Sequence, residues 1–187
     1  MTPILGIMAS SVLGAVTATS FESIATTTVG SGGSSSVTFS SIPGTYTHLQ
    51  IRYLGRGTRA LTIDNVGLEI NADSGNNYAA HNLQGDGSSA SASALTSNPY
   101  TYVPQVSAAN ATASIFGVAV IDILDYANTN KYKTLRALGG HDQNGSGVVQ
   151  LRSGLWQSTN AITSIKLTPD GGSWAQYSHF ALYGIKS

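Results

Sequence analysis

Turn-forming residues interrupt this chain so often that only short extended segments fit between them. Pro43-Gly44, Asn144-Gly145 and the run 169–172 are examples, and such interruptions recur roughly every 8 to 12 residues. Between them apolar residues alternate with polar ones, and no window shows the spacing and end caps of a helix. This pattern predicts an all-β protein, specifically an antiparallel β-sandwich of the jelly-roll type.

The N-terminal region differs from the rest, so we expect an arm over residues 1–20 and a single sandwich domain over residues 21–187. The first charged residue is Glu22 and the first basic one is Arg52, so the basic start of a signal peptide is missing. Glycine and serine leave no run of the ~18 apolar residues that a membrane span needs. Because an exposed apolar tail promotes aggregation, we expect the arm to anchor on a neighbouring subunit through four side chains: Ile4, Leu5, Ile7 and Met8.

Three further segments carry specific predictions. Residues 21–29 and 37–42 flank the glycine-rich loop 30–33 and predict a long-looped hairpin. Residues 85–97 alternate serine with alanine, which is typical of a mobile surface loop. Residues 115–124 are apolar on both faces and rich in β-branched side chains, so they predict a central strand that is buried on both sides.

Charge and cysteine content exclude several classes of partner and site. Charged residues make up only 10% of the chain, and nine basic residues balance nine acidic ones. We therefore expect no nucleic acid and no membrane surface to be held by electrostatic attraction. Without cysteine the chain has no disulfide bond, thiolate metal site or thiol nucleophile. Weak surface charge leaves little repulsion between copies, so we expect a homo-oligomer.

Motifs for catalysis or cofactor binding are weak. Residues 55–60 match a glycine-rich nucleotide motif but open no helix to bind a pyrophosphate. Residues 142–147 copy the start of a calcium loop, yet its twelfth position, a glutamate in such loops, is Ser153, and an Asn-Gly hairpin turn explains the same residues. Asp122 and Asp125 lie three apart in a strand and so point to opposite faces. We expect no enzyme activity, no cofactor and no metal.

Aromatic side chains in predicted loops are the remaining candidates for ligand binding. Tyr100, Tyr102 and Trp174 have polar neighbours, and their flat rings could stack on a sugar. For Trp174 a place in the core is an equal alternative, whereas Trp156 at a strand end is expected to cap the core. The candidate contacts for a host glycan are therefore Tyr100, Tyr102 and Trp174.

Several stretches carry a resemblance to a known group of proteins. They are FESIATTTVG (21–30), SIPGTYTHLQIR (41–52), IDILDYANTNKYKT (121–134), SGLW (153–156) and FALYGIK (180–186), together with the start MTPILGIMAS. These stretches resemble small tailed-bacteriophage proteins that are encoded near virion structural genes, and the match over 121–134 is the most specific. The resemblance covers almost the whole chain and brings no catalytic residue with it.

The resemblance implies a structural protein located in the virion, with other virion proteins as partners. Two roles in the virion suit a sandwich with an apolar arm. One is a head decoration (cement) protein that clamps capsid subunits, and the other is a short tail-fibre or receptor-binding subunit whose loops contact host glycans. The length favours decoration because it leaves no shaft, whereas polar loops with tyrosine favour host contact. We expect a non-enzymatic decoration protein, and a trimer by analogy with jelly-roll assemblies.

Overall fold

The computed structural model describes residues 20–186, and within that range the chain forms twelve β-strands and no helix. In chain order the strands are β1 (Phe21–Thr28), β2 (Val37–Phe39), β3 (His48–Gly55), β4 (Ile63–Ile70), β5 (Tyr78–Gly85), β6 (Ala90–Asn98), β7 (Thr101–Ser107), β8 (Gly117–Ile123), β9 (Lys133–Asp142), β10 (Gly147–Trp156), β11 (Ile165–Pro169) and β12 (His179–Ile185). A search of the described residues for a helix able to cross a membrane finds none.

Two antiparallel sheets face each other across one core. The large sheet has eight strands in the order β1-β12-β3-β8-β9-β10-β5-β6, and the small sheet has four in the order β2-β11-β4-β7. Buried aliphatic and aromatic side chains from both sheets form a common cluster. The predicted all-β antiparallel sandwich is confirmed. The narrower prediction of a jelly roll is not, because a jelly roll has eight strands and this chain divides twelve strands into eight and four.

β1 and β2 belong to different sheets, so the predicted hairpin between residues 21–29 and 37–42 is wrong. β1 pairs with β12 at one edge of the large sheet, and β2 pairs with β11 at one edge of the small sheet. The loop after β1 crosses between the sheets, and Ser34 pairs there with Trp174. Alternation in a sequence indicates which side chains are buried but not which sheet buries them. A prediction made from alternation therefore pairs each strand with its neighbour in the sequence.

The predicted mobile loop over residues 85–97 is also wrong for most of its length. β5 continues to Gly85, and β6 begins at Ala90 and pairs with β5 in antiparallel register. Only a tight turn separates them, in which the Asp86 carboxylate accepts hydrogen bonds from the backbone of Ser88 and Ser89 at 2.9 and 2.7 Å. Most β6 side chains are exposed at the edge of the sheet, so the strand lacks the apolar alternation that identifies a half-buried one.

β8 is central in the large sheet, as residues 115–124 predict, but it is buried on one side only. Its inward side chains are buried, Ile121 among them, whereas the outward Val118 and Val120 are 52% and 39% exposed. The small sheet covers the inner side, and no described element covers the outer side. The prediction of burial on both sides is therefore wrong, because a strand that is apolar on both faces does not reveal whether both faces are covered.

Two local predictions are confirmed. Asn144 and Gly145 connect β9 to β10 with φ of 58° and 97°, as a two-residue type I′ hairpin turn requires. Trp156 is buried at the end of β10 with 2% of its surface exposed. Its Nε1 donates to the Asp73 carboxylate at 2.7 Å, so the indole packs in the core without losing its hydrogen bond.

Candidate functional site

The outer side of the large sheet carries many exposed aliphatic side chains. We define the outer face by seven that project from β3, β5, β8, β9 and β10: Leu54, Leu83, Val118, Val120, Leu138, Val149 and Leu151. Each of them is at least 39% exposed. Soluble monomers seldom expose a contiguous apolar patch of more than a few hundred Å², so this surface is suited to contact with another protein.

Strand register aligns four of these side chains in one row across the sheet. Val120 lies opposite Leu138, Leu138 opposite Leu151, and Leu151 opposite Leu83. With strands about 4.8 Å apart, the row is about 14 Å long. In the adjacent row Gly140 contributes no side chain, and a shallow depression of about 910 Å³ lies there. The outer face is thus flat and apolar, with one hollow.

Charged side chains border the outer face. Asp122 and Arg136 lie opposite each other beside the aliphatic row and form an ion pair of 3.1 Å. Arg52 ends the row on β3, and its guanidinium carbon lies 5.3 and 5.5 Å from the ring centroids of Phe21 and Tyr183. The charges at this border are held by partners within the chain, so the patch itself offers mainly an apolar contact.

Tyr100 and Tyr102 come together at the edge of the small sheet, where β7 is the last strand. Their hydroxyl oxygens lie 3.2 Å apart and their rings meet edge to face at 5.2 Å. The Tyr100 hydroxyl also donates to the Asp170 carboxylate at 3.3 Å. The hydrogen bond with Tyr102, followed by burial, raises the pKa of the Tyr100 hydroxyl, so it stays protonated. The pair presents adjacent rings and hydroxyls beside a small hollow that Lys166 also lines.

Trp174 is not at the surface, and its prediction as a glycan contact is wrong. It is fully buried, and its Nε1 donates to the Leu167 carbonyl oxygen at 3.2 Å. Its ring packs edge to face on Phe180 at 4.8 Å and lies against Tyr53 at 6.4 Å. The polar, glycine-rich residues around Trp174 indicate a loop, but the loop folds inward and delivers the indole to the core. Tyr177, close by in the chain, is 68% exposed.

The four arm residues Ile4, Leu5, Ile7 and Met8 lie outside the described residues. The first residue described is Ser20, whose carbonyl oxygen accepts a hydrogen bond from the Lys186 backbone at 2.9 Å. Ser20 itself lies beside the beginning of β1, at one edge of the large sheet.

A buried polar network between the sheets was not predicted from the sequence. Gln150 on β10 is fully buried, donates to Gln84 at 2.8 Å, and accepts from the Gln105 backbone at 2.8 Å. Gln105 in turn donates to Asn65 at 2.7 Å. One signal could have revealed it: Gln150 is an even number of positions from Trp156 in one strand, so both side chains face inward.

Arg152, two residues after Gln150, is the most unusual member of this inner surface. Only 8% of its surface is exposed, and no hydrogen bond or ion pair within residues 20–186 involves its guanidinium. Its contact is the Tyr102 ring, whose centroid lies 6.0 Å from the guanidinium carbon. Burial lowers the pKa of this guanidinium. A buried cation without a carboxylate partner is rare in folded proteins.

Carboxylates that suggest metal binding in the sequence have structural partners. The Asp142 carboxylate accepts from the Asn144 backbone at 2.8 Å within the hairpin turn. Asp125 pairs with Lys131 at 2.6 Å. Among residues 20–186 no group of three histidine, aspartate or glutamate side chains is arranged to hold a metal ion.

Comparison with known proteins finds no protein-family model, curated protein or solved structure that matches this chain.

Proposed function

We propose that this protein is a non-enzymatic structural component of a tailed-bacteriophage virion and that it decorates the head. The observation that carries the proposal is the outer face, a broad apolar surface on an otherwise sparsely charged domain. Large exposed apolar surfaces of this kind mark sites of contact with other proteins. The resemblance of residues 121–134 and the other stretches to tailed-phage proteins supports the same assignment.

The occupant we propose for the outer face is an apolar surface of the capsid subunits. Four strand spacings separate β3 from β5, so the face is about 19 Å wide. Any fully extended chain of 20 residues spans about 66 Å, so an arm of this length would be long enough to reach a neighbouring subunit. The arm and the outer face then hold the shell at two separate points, with three copies forming a trimer.

A charge-insertion experiment tests the role of the outer face. Leu138→Asp with Val149→Asp places two carboxylates in the patch without touching the core, since both side chains are more than half exposed. We expect the variant to fold and to be lost from purified particles. Tyr132→Asp, at an exposed aromatic in the connection between β8 and β9, is the matched control and should be incorporated normally. Normal incorporation of the double variant would refute the role of the outer face.

Location and the arm are tested on whole virions. Immunogold labelling with an antibody to this protein should mark the head, and label at the tail tip would contradict decoration. Ile4→Asp with Ile7→Asp should prevent incorporation while leaving the domain folded, as judged by circular dichroism. If the arm variant is incorporated at the wild-type level, the arm does not anchor the protein.

The second candidate function is a tail-fibre or receptor-binding subunit that contacts host glycans. The specific observation in its favour is the Tyr100–Tyr102 pair, which presents two rings and two hydroxyls at one edge of the small sheet. On a host polysaccharide array we expect Tyr102→Ala to lose binding and Tyr177→Ala, at a more exposed ring, to keep it. Absence of binding by the wild-type protein would remove this candidate.

A further inference from the structure

We propose that Arg152, Asn82 and Tyr102 form a binding site for an acidic sugar of the hexuronate class, whose carboxylate pairs with the Arg152 guanidinium. This inference rests on the receptor-binding candidate for its biological setting, whereas the binding itself is measured on the purified protein. The observation behind the proposal is that Arg152 on β10 is a buried cation with no ion pair among the described residues.

The positive charge of Arg152 is the reason to expect a carboxylate on the ligand. Removing a guanidinium from water costs several kcal/mol, and only a well-placed anion and hydrogen bonds repay that cost. The Nε of Arg152 is buried without an acceptor, and the guanidinium forms no ion pair within the described residues. Carboxylates bind the planar guanidinium through two parallel hydrogen bonds, so a carboxylate on a ligand would satisfy several of these donors together.

The side chain of Asn82 is the reason to expect hydroxyl groups on the ligand. This residue lies directly opposite Arg152 on β5, so the two side chains project from the same face of the sheet about 5 Å apart. The Asn82 side chain donates to Gln84 at 3.0 Å, but its Oδ1 is buried and has no donor. A simple carboxylate such as acetate offers only acceptors to such a site. A sugar acid offers a carboxylate to Arg152 and a hydroxyl donor to Asn82.

An aromatic ring completes the site. Tyr102 lies 6.0 Å from the Arg152 guanidinium and is half-buried, with its hydroxyl beside that of Tyr100. The apolar face of a pyranose ring packs on such rings, while hydroxyl groups at the ring edge bind the sugar's own hydroxyls.

The path to solvent runs along one row of the large sheet. Ser93 on β6 lies opposite Asn82 and is exposed, so the row Arg152, Asn82, Ser93 passes from buried through half-buried to exposed. The small sheet ends at β7, which packs against β5 and β8 to β10, whereas β6 is exposed along most of its length. The site therefore opens at the flank where β5 and β6 extend past β7.

The test is a titration of the purified full chain followed by amide NMR chemical shifts. The probes are glucuronate, glucose, acetate and inorganic phosphate, each at the same ionic strength. We expect glucuronate to shift amides of β5 and β10 and to bind at least about tenfold more tightly than glucose or acetate, as expected for a hydrogen-bonded charge pair. Arg152→Met should weaken glucuronate binding about 10- to 100-fold, whereas Lys131→Met, at an exposed lysine in the connection between β8 and β9, should not.

Each outcome decides a different part of the inference. Equal binding of acetate, phosphate and glucuronate would overturn the sugar class. Equal binding of glucose and glucuronate, or unchanged binding by Arg152→Met, would overturn the role of Arg152 and leave the receptor-binding candidate standing. No binding of glucuronate would overturn the inference, whereas the receptor-binding candidate is decided by the polysaccharide array. Thermal unfolding of Arg152→Met shows whether any loss of binding is due to misfolding. Replacing an unpaired buried charge by an apolar side chain is expected to preserve or raise stability, so the thermal midpoint should not fall.

Discussion

Gly55 is required where β3 passes beneath the indole of Trp174. A Cβ added at Gly55 would lie 2.9 Å from Cζ3 of Trp174 and 3.3 Å from a methyl carbon of Val106. Both neighbours are fully buried and have little room to move. Gly55→Ala should therefore overpack the core and lower the free energy of unfolding by about 1–3 kcal/mol. Gly44→Ala is the control, because a Cβ there has no neighbour within 4 Å and should change stability by less than about 0.5 kcal/mol.

A double-mutant cycle isolates the contact itself. Trp174→Phe removes the outer ring of the indole and the hydrogen bond to the Leu167 carbonyl, which should cost about 2 kcal/mol. It also removes Cζ3, the atom that a Cβ at residue 55 would meet. In a chain that already carries Trp174→Phe, the Gly55→Ala substitution should therefore be milder by about 1–2 kcal/mol, within the range of coupling energies for residues in contact.

Urea denaturation followed by circular dichroism measures all four proteins, with the free energy of unfolding taken by linear extrapolation. Tryptophan fluorescence is unsuitable as the main probe because one variant removes a tryptophan. Additivity of the two substitutions within about 0.5 kcal/mol would refute the close packing of Gly55 on Trp174. A Gly55→Ala variant as stable as Gly44→Ala would do the same.

Three further substitutions test individual side chains. Asp73→Ala should cost about 1–3 kcal/mol because it leaves the buried Trp156 Nε1 without an acceptor; guanidinium denaturation at pH 7 measures this loss. Burial raises the pKa of the Asp64 carboxyl, so the folded protein holds this proton more tightly than the unfolded chain. The free energy of unfolding should therefore fall as pH rises from about 3.9 to the raised pKa, and Asp64→Asn should remove that fall in a pH series. Gly184→Ala should cost about 1–3 kcal/mol, since the added methyl would collide with the Tyr46 ring; a shift in thermal midpoint relative to wild type measures it.

The fold class could be predicted from the sequence because turn residues and alternation are local signals. The Asn144-Gly145 hairpin is an example, since both residues tolerate the positive φ that the turn requires. The partner of β1 could not be predicted, because β12 lies more than 150 residues away in the chain and register is chosen by the assembled core. Local propensity contains no information about that choice.

Some residues of the candidate sites could likewise be predicted from the sequence, and others could not. Tyr100 and Tyr102 are two residues apart in an extended segment, so their proximity follows from strand geometry. Trp174 could not be placed, because loop composition gives no indication of whether an aromatic ring turns inward. Arg152 was missed because a charged residue in a strand of intermediate hydropathy is usually assigned to the exposed face.

β10 joins the two surfaces on which the proposals rest, and its pattern is inverted relative to an ordinary sandwich strand. Val149 and Leu151 face solvent, whereas Gln150 and Arg152 face the small sheet. A slip of one residue would exchange the two sets and would bury the aliphatic side chains, which is the arrangement that the hydrophobic effect alone favours. The hydrogen bonds of Gln150 to Gln84 and Gln105 oppose that slip. In an ordinary sandwich strand, apolar side chains face the core and charged side chains face solvent. β10 departs from this pattern twice, because it exposes aliphatic side chains and buries a cation, and such departures concentrate at functional sites. The apolar outer face and the Arg152 site therefore lie on opposite sides of one strand, and each follows from one of these two departures.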